Sequence, residues 1–474
     1  MGSNNKVFRI EKDSMGEFNV PEDAYYGAQT MRAVENFPIS SLRFPRNFIK
    51  AIGLIKYAAA KANCELGLID EEIASSISTA AREVSEGEFD DQFVVDIFQT
   101  GSGTSTNMNA NEVVSNRAIE ILGGVIGSKI PVHPNDHVNM GQSSNDVIPT
   151  AIHISALIGI KKQLIPSLEI LKDELDKKSK EFMAVVKTGR THLQDATPIK
   201  LGQSFEGFVG QISKSIDRIN RSCEDISEVA LGGTAVGTGV NTHLEFSNRV
   251  CRVLSESLSL DIKETDNHFQ AQSTLDALVG CSGSLKTLAV SLMKIANDIR
   301  WLGSGPRAGI GEIDLPAVQP GSSIMPGKVN PVIPESVCQV SAQVIGNDHT
   351  ITVAGQSGNF EINAMMPVAG YNLLESIDIL SSATRNFAIQ CINGIKATSR
   401  GPDMVKNGLA IATTLVPHIG YDAATLIAKE AQKTGKTIME IAKLRTDIPE
   451  DDLDKILDPI SMTERGSTSG PSSG

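Results

Sequence analysis

The sequence predicts an all-α fold built on a bundle of long helices. Apolar residues recur at alternating spacings of three and four along three stretches of the middle third, which is typical of long helices packed nearly parallel or antiparallel. No convincing run of alternating apolar and polar residues indicates strands there. Proline is sparse inside the stripes, apart from Pro166, where we expect a kink. The stripes are Leu157, Ile160, Leu164, Leu168, Leu171 and Leu175; Phe208, Ile212, Ile216, Ile219, Cys223 and Ile226; and Leu278, Cys281, Leu285, Leu288, Leu292, Ile295 and Ile299.

The other elements follow from turn residues and shorter apolar patterns. Repeated prolines and glycines in residues 1 to about 50 predict irregular structure. Helices are predicted from Phe48, over Glu71 to Glu86, and from Glu335 toward Thr352. Beyond Gly394 the helical patterns shorten, which indicates a small C-terminal domain. We therefore predict an N-terminal, mostly helical domain over 1–142, a central bundle over 143–393, a C-terminal helical domain over 394–464, and a tail over 465–474 that ends in the tag-like sequence SGPSSG.

The composition describes an ordinary soluble globular chain. Its 474 residues, of which 41% are hydrophobic and 21% charged, suffice for a large core and suggest about three domains. With 43 basic and 56 acidic residues the net charge is −13, which argues against a generic nucleic-acid binder. An anionic substrate would therefore need a local basic or dipolar pocket.

Cysteine usage and the absence of targeting signals predict a cytoplasmic protein. The six cysteines are scattered without a CxxC pair, as expected for reduced thiols. No stretch approaches the ~18 apolar residues of a membrane span. The N-terminus resembles neither a signal nor a transit peptide, and Lys6 stands where a myristoylation signal at Met1-Gly2 requires Ser or Thr.

The most informative stretch is the loop GSSIMPGKVNP, over residues 321–331. It combines hydroxyls, an ammonium and a carboxamide with glycines and prolines, and it contains no acid. Such a loop suits an anion, because glycine lets the backbone approach a ligand closely or adopt a positive φ, while proline restricts the surrounding conformations. A P-loop is disfavoured, since Val329 replaces the required Ser or Thr. An ordinary turn would explain the glycines and prolines but not the polar side chains.

Two other segments carry related chemistry. In QTGSGTSTNMNANE, hydroxyls and free amides around Ser102 precede a helix, which suits a carboxylate, although a capping motif explains them as well. In KTGRTHLQDATP, Thr191 and His192 are the informative pair, although a lone histidine is more often structural. The glycine-rich segment 231–243 lacks both the GxGxxG pattern and a preceding strand, so we predict no dinucleotide site.

A histidine pair lies in VHPNDHVNMGQSSND. His133 and His137 are four residues apart, which would suit a metal only on a helix, and Pro134 lies between them. We therefore predict no metal site.

These segments together resemble the fumarase/aspartase superfamily, whose members add or eliminate water, ammonia or an amine across the double bond of fumarate or a fumaryl group. The signature loop is GSSIMPGKVNP, and QTGSG, HPND and THLQDATP also match. The resemblance extends from about Phe8 to Met462. It implies a three-domain fold, a homotetramer with a twenty-helix core to which each subunit gives five helices, active sites shared by three chains, and no cofactor.

The resemblance also implies a role for each candidate residue. Ser322 would remove the C3 proton, giving an aci-carboxylate that preorganised donors stabilise. His192, held by Glu335, would position or protonate the departing water, although a helix dipole alone would also favour Glu335 at a first turn. The substrate dicarboxylate would be bound by Ser102, Gly103, Thr104, Ser143, Ser144, Asn145, Thr191, Ser323, Lys328, Val329 and Asn330. A secondary anion site near the entrance would comprise His133, Pro134, Asn135 and Asp136.

Within the superfamily the chain is more similar to metal-independent fumarases than to aspartases. Aspartases carry Gln at the His192 position and Ala at the Gly327 position, whereas His137 and NPVIPE resemble aspartase. The predicted activity is reversible anti hydration of fumarate to L-malate in the tricarboxylic acid cycle, with aspartate ammonia-lyase as the alternative. No residue favours argininosuccinate or adenylosuccinate lyase. A non-catalytic helical scaffold and a stoichiometric binder of citrate-like anions are alternatives of another class.

Overall fold

The computed structural model describes residues 7–464, most of which are helical, and this confirms the all-α prediction. The Met1-Gly2 motif and the SGPSSG tail lie outside these residues. The α-helices are α1 (Ala28–Asn36), α2 (Arg46–Glu65), α3 (Glu71–Glu86), α4 (Thr104–Ile121), α5 (Ser144–Gly159), α6 (Ile165–Glu181), α7 (Leu201–Ser227), α8 (Phe246–Leu258), α9 (His268–Ser273), α10 (Asp276–Leu302), α11 (Val332–Gly355), α12 (Met366–Gln390), α13 (Arg400–Lys406), α14 (Val416–Ile419), α15 (Tyr421–Thr434), α16 (Ile438–Arg445) and α17 (Glu450–Ile456).

The strands of the described chain are short and form two-stranded sheets. Five pairs occur: β1 (Phe8–Asp13) with β2 (Gly16–Pro21), β3 (Val186–Thr191) with β4 (Gln194–Lys200), β5 (Glu228–Val229) with β6 (Lys263–Glu264), β7 (Ile313–Asp314) with β10 (Lys396–Ala397), and β8 (Gly358–Asn359) with β9 (Ile362–Asn363). All are antiparallel except β5 with β6. The irregular structure predicted for the first 50 residues is wrong in part, because the hairpin β1–β2 and the helix α1 lie there.

Dense tertiary contacts divide the described chain into two units. The first comprises the residues up to Pro166 together with Ile216–Ala289 and Ala342–Ser381, and the second comprises Ser167–Ser215, Val290–Ser341 and the residues from Ser382 onward. Each unit consists of three separate stretches of sequence, and the divisions between them fall inside the long helices. The predicted boundaries of three consecutive domains stay a prediction.

In the first unit, α2 packs against α3, α5 and α8. The apolar face predicted from Phe48 is fully buried, since Phe48, Ile52, Ile55 and Ala59 are each 0% exposed. The helix α3 has the predicted bounds because Asp70 accepts the backbone N–H of Glu72 at the start and Gly87 adopts φ 99° at the end.

The predicted stripes are buried along their whole length. Every residue of the third stripe, on α10, is at most 1% exposed, and no member of the other two exceeds 7%. The first stripe crosses from α5 to α6 through a π-helical turn, Ile160–Leu164. This turn ends two residues before Pro166, which has no backbone N–H to donate to the carbonyl four residues earlier, and a π-helical turn accommodates such a break in the hydrogen-bond pattern.

In the second unit, the residues after Gly394 build a small apolar core of their own. Buried side chains of α15, α16 and α17 pack together there, among them Ile427, Ile441 and Leu453. Thr437 begins α16 with a capping box, in which its hydroxyl and the Glu440 carboxylate each accept a backbone N–H of the other residue.

Among the described residues, one helix, α10, is long and apolar enough to cross a membrane by length and composition alone. The mean hydropathy of its best window is 1.3. This is weak support for a membrane span, because a core helix with a buried stripe meets the same criterion.

Candidate active site

The loop before α4 is fixed by a close approach of two backbone segments. The Gly101 carbonyl accepts the N–H of Met366 at 3.1 Å, and a Cβ at Gly101 would lie 2.0 Å from the carbonyl oxygen of Ala364. Gly103 then adopts φ 73° directly before the helix. Only glycine fits both positions, so the loop turns sharply and leaves Ser102 and Thr104 beside the helix start.

The hydroxyls at the starts of α4 and α5 meet. Thr104 Oγ1 lies 2.8 Å from Ser102 Oγ and 2.7 Å from Ser144 Oγ. Ser143 precedes α5 and accepts the N–H of Asn145, while the Asn145 amide donates to the Ala235 carbonyl at 2.8 Å. The structure therefore brings together two segments that the resemblance assigns to one substrate.

The buried Asp146, which sequence analysis missed, binds backbone N–H groups beside this contact between α4 and α5. Its carboxylate is 0% exposed and accepts the backbone N–H groups of Ser143 at 2.9 Å, Gly232 at 3.0 Å and Thr234 at 2.9 Å. Burial raises the pKa of Asp146 to about 6, and the three N–H donors oppose that rise. The Ser143-x-x-Asp146 spacing is a capping-box pattern that could have indicated this carboxylate.

The predicted secondary anion segment is a π-helical turn, Pro134–Val138. His133 Nδ1 accepts the N–H groups of Asn135 and Asp136, each at 3.2 Å, and His137 Nδ1 accepts the N–H of His133 at 2.8 Å. Burial lowers the pKa of His137. Within residues 7–464, no group of three or more His, Cys, Asp or Glu side chains is arranged to hold a metal ion.

In the second unit, Thr191 and His192 lie at the tip of the hairpin β3–β4. His192 and Leu193 form its two-residue turn with φ values of 57° and 60°, as expected of a primed hairpin turn. Both predicted residues are exposed. The prediction that this region lacks strands is wrong here, since β3 and β4 form a hairpin. The sequence did not show it because KTGRTHLQDATP carries too few apolar residues for a period of two to be visible.

A buried carboxylate anchors that hairpin. Glu312 is 1% exposed and its oxygens lie 3.2 Å from Lys187 Nζ and 2.8 Å from Arg190 Nη2. Both cations belong to β3, a few residues before His192. Sequence analysis missed Glu312, because its two partners lie more than 120 positions away in the sequence.

The signature loop folds back on itself through backbone contacts. The N–H of Gly321 donates to the Lys328 carbonyl at 2.8 Å, and Asn330 Nδ2 donates to the Gly321 carbonyl at 2.6 Å. A Cβ at Gly321 would lie 2.5 Å from the Lys328 carbonyl oxygen, while Gly327 adopts φ 78°. The two glycines therefore serve the two purposes that the sequence predicted: close approach and positive φ.

Ser322 accepts two backbone N–H groups in this loop. Its Oγ lies 3.3 Å from the nitrogen of Ile324 and 3.0 Å from that of Met325. Donors of this kind stabilise negative charge on the oxygen. Ser323, Lys328 and Val329 are exposed on the same loop.

Glu335 lies in the first turn of α11, three residues after the helix begins. In the described chain no hydrogen bond or ion pair joins Glu335 to His192. The predicted pairing of these two residues stays a prediction, since the resemblance implies active sites shared by three chains.

Two family models match the chain. The model described as Lyase covers residues 16–346, and the model described as Fumarase C C-terminus covers residues 411–464. The chain is 53% identical over 464 residues to the class II fumarate hydratase of Halobacterium salinarum, with 98% of each chain covered. It is 52% identical over 445 residues to the mitochondrial fumarate hydratase of Homo sapiens, covering 93% of this chain and 87% of the human protein. A class II fumarase structure from Schistosoma mansoni matches with a TM-score of 0.94 at 40% identity, covering 96% of this chain and 99% of that one.

Proposed function

The chain belongs to the lyase family of the class II fumarate hydratases, and from this premise we propose that it catalyses the reversible anti hydration of fumarate to L-malate. Its substrate is a small dicarboxylate. We assign the reaction to the tricarboxylic acid cycle, where fumarate is converted to malate.

The observation that carries this proposal is the meeting of hydroxyls at two helix N-termini. Thr104 Oγ1 and Ser144 Oγ are 2.7 Å apart at the starts of α4 and α5. Helix N-termini carry partial positive charge and attract carboxylates. The dipoles of the three backbone N–H groups that the Asp146 carboxylate accepts partly offset its negative charge. A substrate carboxylate placed here would be held by neutral donors and two helix dipoles.

The proposed chemistry begins at Ser322. The two N–H groups that it accepts support an alkoxide at Oγ, and this alkoxide removes a C3 proton of malate. The electron pair left on C3 is delocalised into the neighbouring carboxylate as an aci-carboxylate. It then forms the C2=C3 double bond while the C2 hydroxyl leaves, protonated through His192, as water. Hydration of fumarate follows the same steps in reverse.

We also propose that the protein is a cytoplasmic homotetramer whose active sites combine residues of three chains. Apolar side chains remain exposed on the long helices, including Val290 at 54% and Val353 at 38%, and such surfaces support self-association. All six cysteines are free thiols, which supports a reducing compartment. Light scattering tests the assembly, with an expected mass four times 50.5 kDa.

The activity is tested by the ultraviolet absorbance of the fumarate double bond, measured with purified protein in the presence of a chelator. L-malate and L-aspartate are supplied separately. Absorbance that grows only with L-malate is the expected result. Growth only with L-aspartate would identify an ammonia-lyase instead, and no change with either would contradict the proposal.

A further inference from the structure

Lys56 is a fully buried ammonium on α2 that the chemistry above does not use. Its side chain is 0% exposed, and Nζ donates to Asn107 Oδ1 at 2.9 Å, Asn139 Oδ1 at 3.1 Å and Gln142 Oε1 at 2.9 Å. Asn107 lies on α4, one turn after Thr104. Gln142 directly precedes the Ser143–Asn145 segment. A single buried charge therefore links the starts of α4 and α5.

The surroundings of Lys56 select its charged form. Asn139 Nδ2 donates to the Gln142 carbonyl at 3.1 Å, and Gln142 Nε2 donates to the Val138 carbonyl at 3.1 Å, so the amide oxygens of Asn139 and Gln142 face the lysine. Three oxygens match the three N–H bonds of an ammonium, whereas a neutral amine has two N–H bonds and would turn its lone pair toward one of the oxygens. Burial lowers the pKa of Lys56 to about 7, and the nearby Asp146 carboxylate opposes that shift.

Lys56 and Asp146 both form hydrogen bonds with residues 139–143, the segment that leads into α5. Lys56 binds the side chains of Asn139 and Gln142, while Asp146 accepts N–H groups from its own helix start and from loop 231–234. Each of these hydrogen bonds joins groups that are buried or half-buried. Removal of either charge would leave buried polar groups without partners, and the segment between them would shift.

We propose that Lys56 is a positioning residue, which holds the starts of α4 and α5 together so that Thr104 and Ser144 face one substrate carboxylate. This inference rests on the proposed function. In this proposal Lys56 does not contact the substrate. It sets the distance between the Thr104 and Ser144 hydroxyls, which do.

The test compares Lys56→Met with Lys61→Met, an exposed lysine on the same helix. Amide hydrogen exchange is measured by mass spectrometry in the full-length protein, and steady-state kinetics are measured with L-malate. In Lys56→Met, we expect exchange to accelerate about tenfold or more over residues 101–107 and 139–147 while α15 and α16 are unchanged. We also expect kcat/KM to fall on the order of 10²-fold, mostly through KM. Lys61→Met should match the unaltered protein in both measurements.

A second variant separates positioning from stability. Lys56→Met leaves buried acceptors without their donor, so we expect its Tm to fall. Adding Asn107→Leu removes one of these acceptors, so we expect part of the lost Tm to return while KM stays high. Three outcomes would overturn the proposal. These are recovery of KM along with Tm in the double variant, unchanged amide hydrogen exchange in Lys56→Met, and failure of both variants to fold. Unaltered protein inert toward malate would instead contradict the proposed function, and the exchange data would still decide whether Lys56 holds the two segments.

Discussion

Thr104 and Ser144 lie 40 positions apart in the sequence, yet their hydroxyl oxygens are 2.7 Å apart. Each belongs to the first residue of a helix, so the contact joins two N-termini, both of which carry partial positive charge. We therefore expect the pair to act as one binding element, although each half resembles an ordinary helix start when the sequence is considered alone.

A double-mutant cycle on this pair should show coupling. We expect Thr104→Val and Ser144→Ala each to raise KM for L-malate about tenfold, because a hydrogen bond to a charged group is worth roughly 1.5–3 kcal/mol. The double variant should lose less than the product of the two effects, because each hydroxyl also orients the other. Thr79→Val, on the outer face of α3, is the control. Strictly additive effects would contradict a shared element.

Gly101 should not tolerate a side chain. A Cβ there would lie 2.0 Å from the Ala364 carbonyl oxygen, so Gly101→Ala must displace the loop that carries Ser102 and Thr104. A displacement of about 1 Å would lower kcat/KM on the order of 10²-fold. Gly123→Ala is the matched control, because Gly123 has φ 75° but no neighbour within 4 Å of the added carbon. The control should lose some stability and keep its activity, and equal activity in both variants would exclude this role for the close approach.

Ser322→Ala should abolish most of the turnover while leaving binding largely intact. Loss of a catalytic base typically costs ~10²–10⁴ in kcat. Binding of succinate, a saturated dicarboxylate that cannot react, should change little in a calorimetric titration, because the donors on α4 and α5 remain. Ser75→Ala on α3 serves as the control. An unchanged kcat would refute the assignment of Ser322 as the base.

His153 should make stability depend on pH below neutrality. Its ring is buried and Nδ1 bonds the Glu228 carbonyl at 2.7 Å, and burial lowers the pKa of His153. The unfolded chain, whose histidine titrates near ~6.5, therefore takes up a proton more readily than the folded protein. The contribution of His153 is complete above about pH 6.5 and is lost as the pH falls, with a slope of up to about 1.4 kcal/mol per pH unit.

Urea denaturation at a series of pH values checks this expectation. The free energy of unfolding of His153→Gln should fall less steeply below about pH 6.5 than that of the unaltered protein. His418→Gln, an exposed histidine, should keep the original slope. Parallel curves for His153→Gln and the unaltered protein would show that His153 is not the titrating group.

Much of the fold could be predicted because it depends on local patterns. The bounds of α3 follow from Asp70 and Gly87, and the stripe on α10 is buried at every predicted position. The hairpin at His192 was missed because its strands are mostly polar and are held by Glu312, more than 100 residues away. A local pattern cannot reveal a strand whose partner contacts are ionic and distant.

The same distinction applies to the candidate site. The sequence by itself indicated candidate residues for binding a dicarboxylate, through the chemistry of hydroxyls, amides and glycines before helices and through the resemblance to a known family. Only the tertiary structure decided that Thr104 meets Ser144, and that Lys56 and Asp146 hold this meeting point from the interior. The physical reason is that a buried charge must find its hydrogen-bond partners wherever the fold supplies them. Apart from Ser143, which is three residues from Asp146, those partners lie 51 to 88 residues away in the sequence, beyond the reach of any helical or strand periodicity.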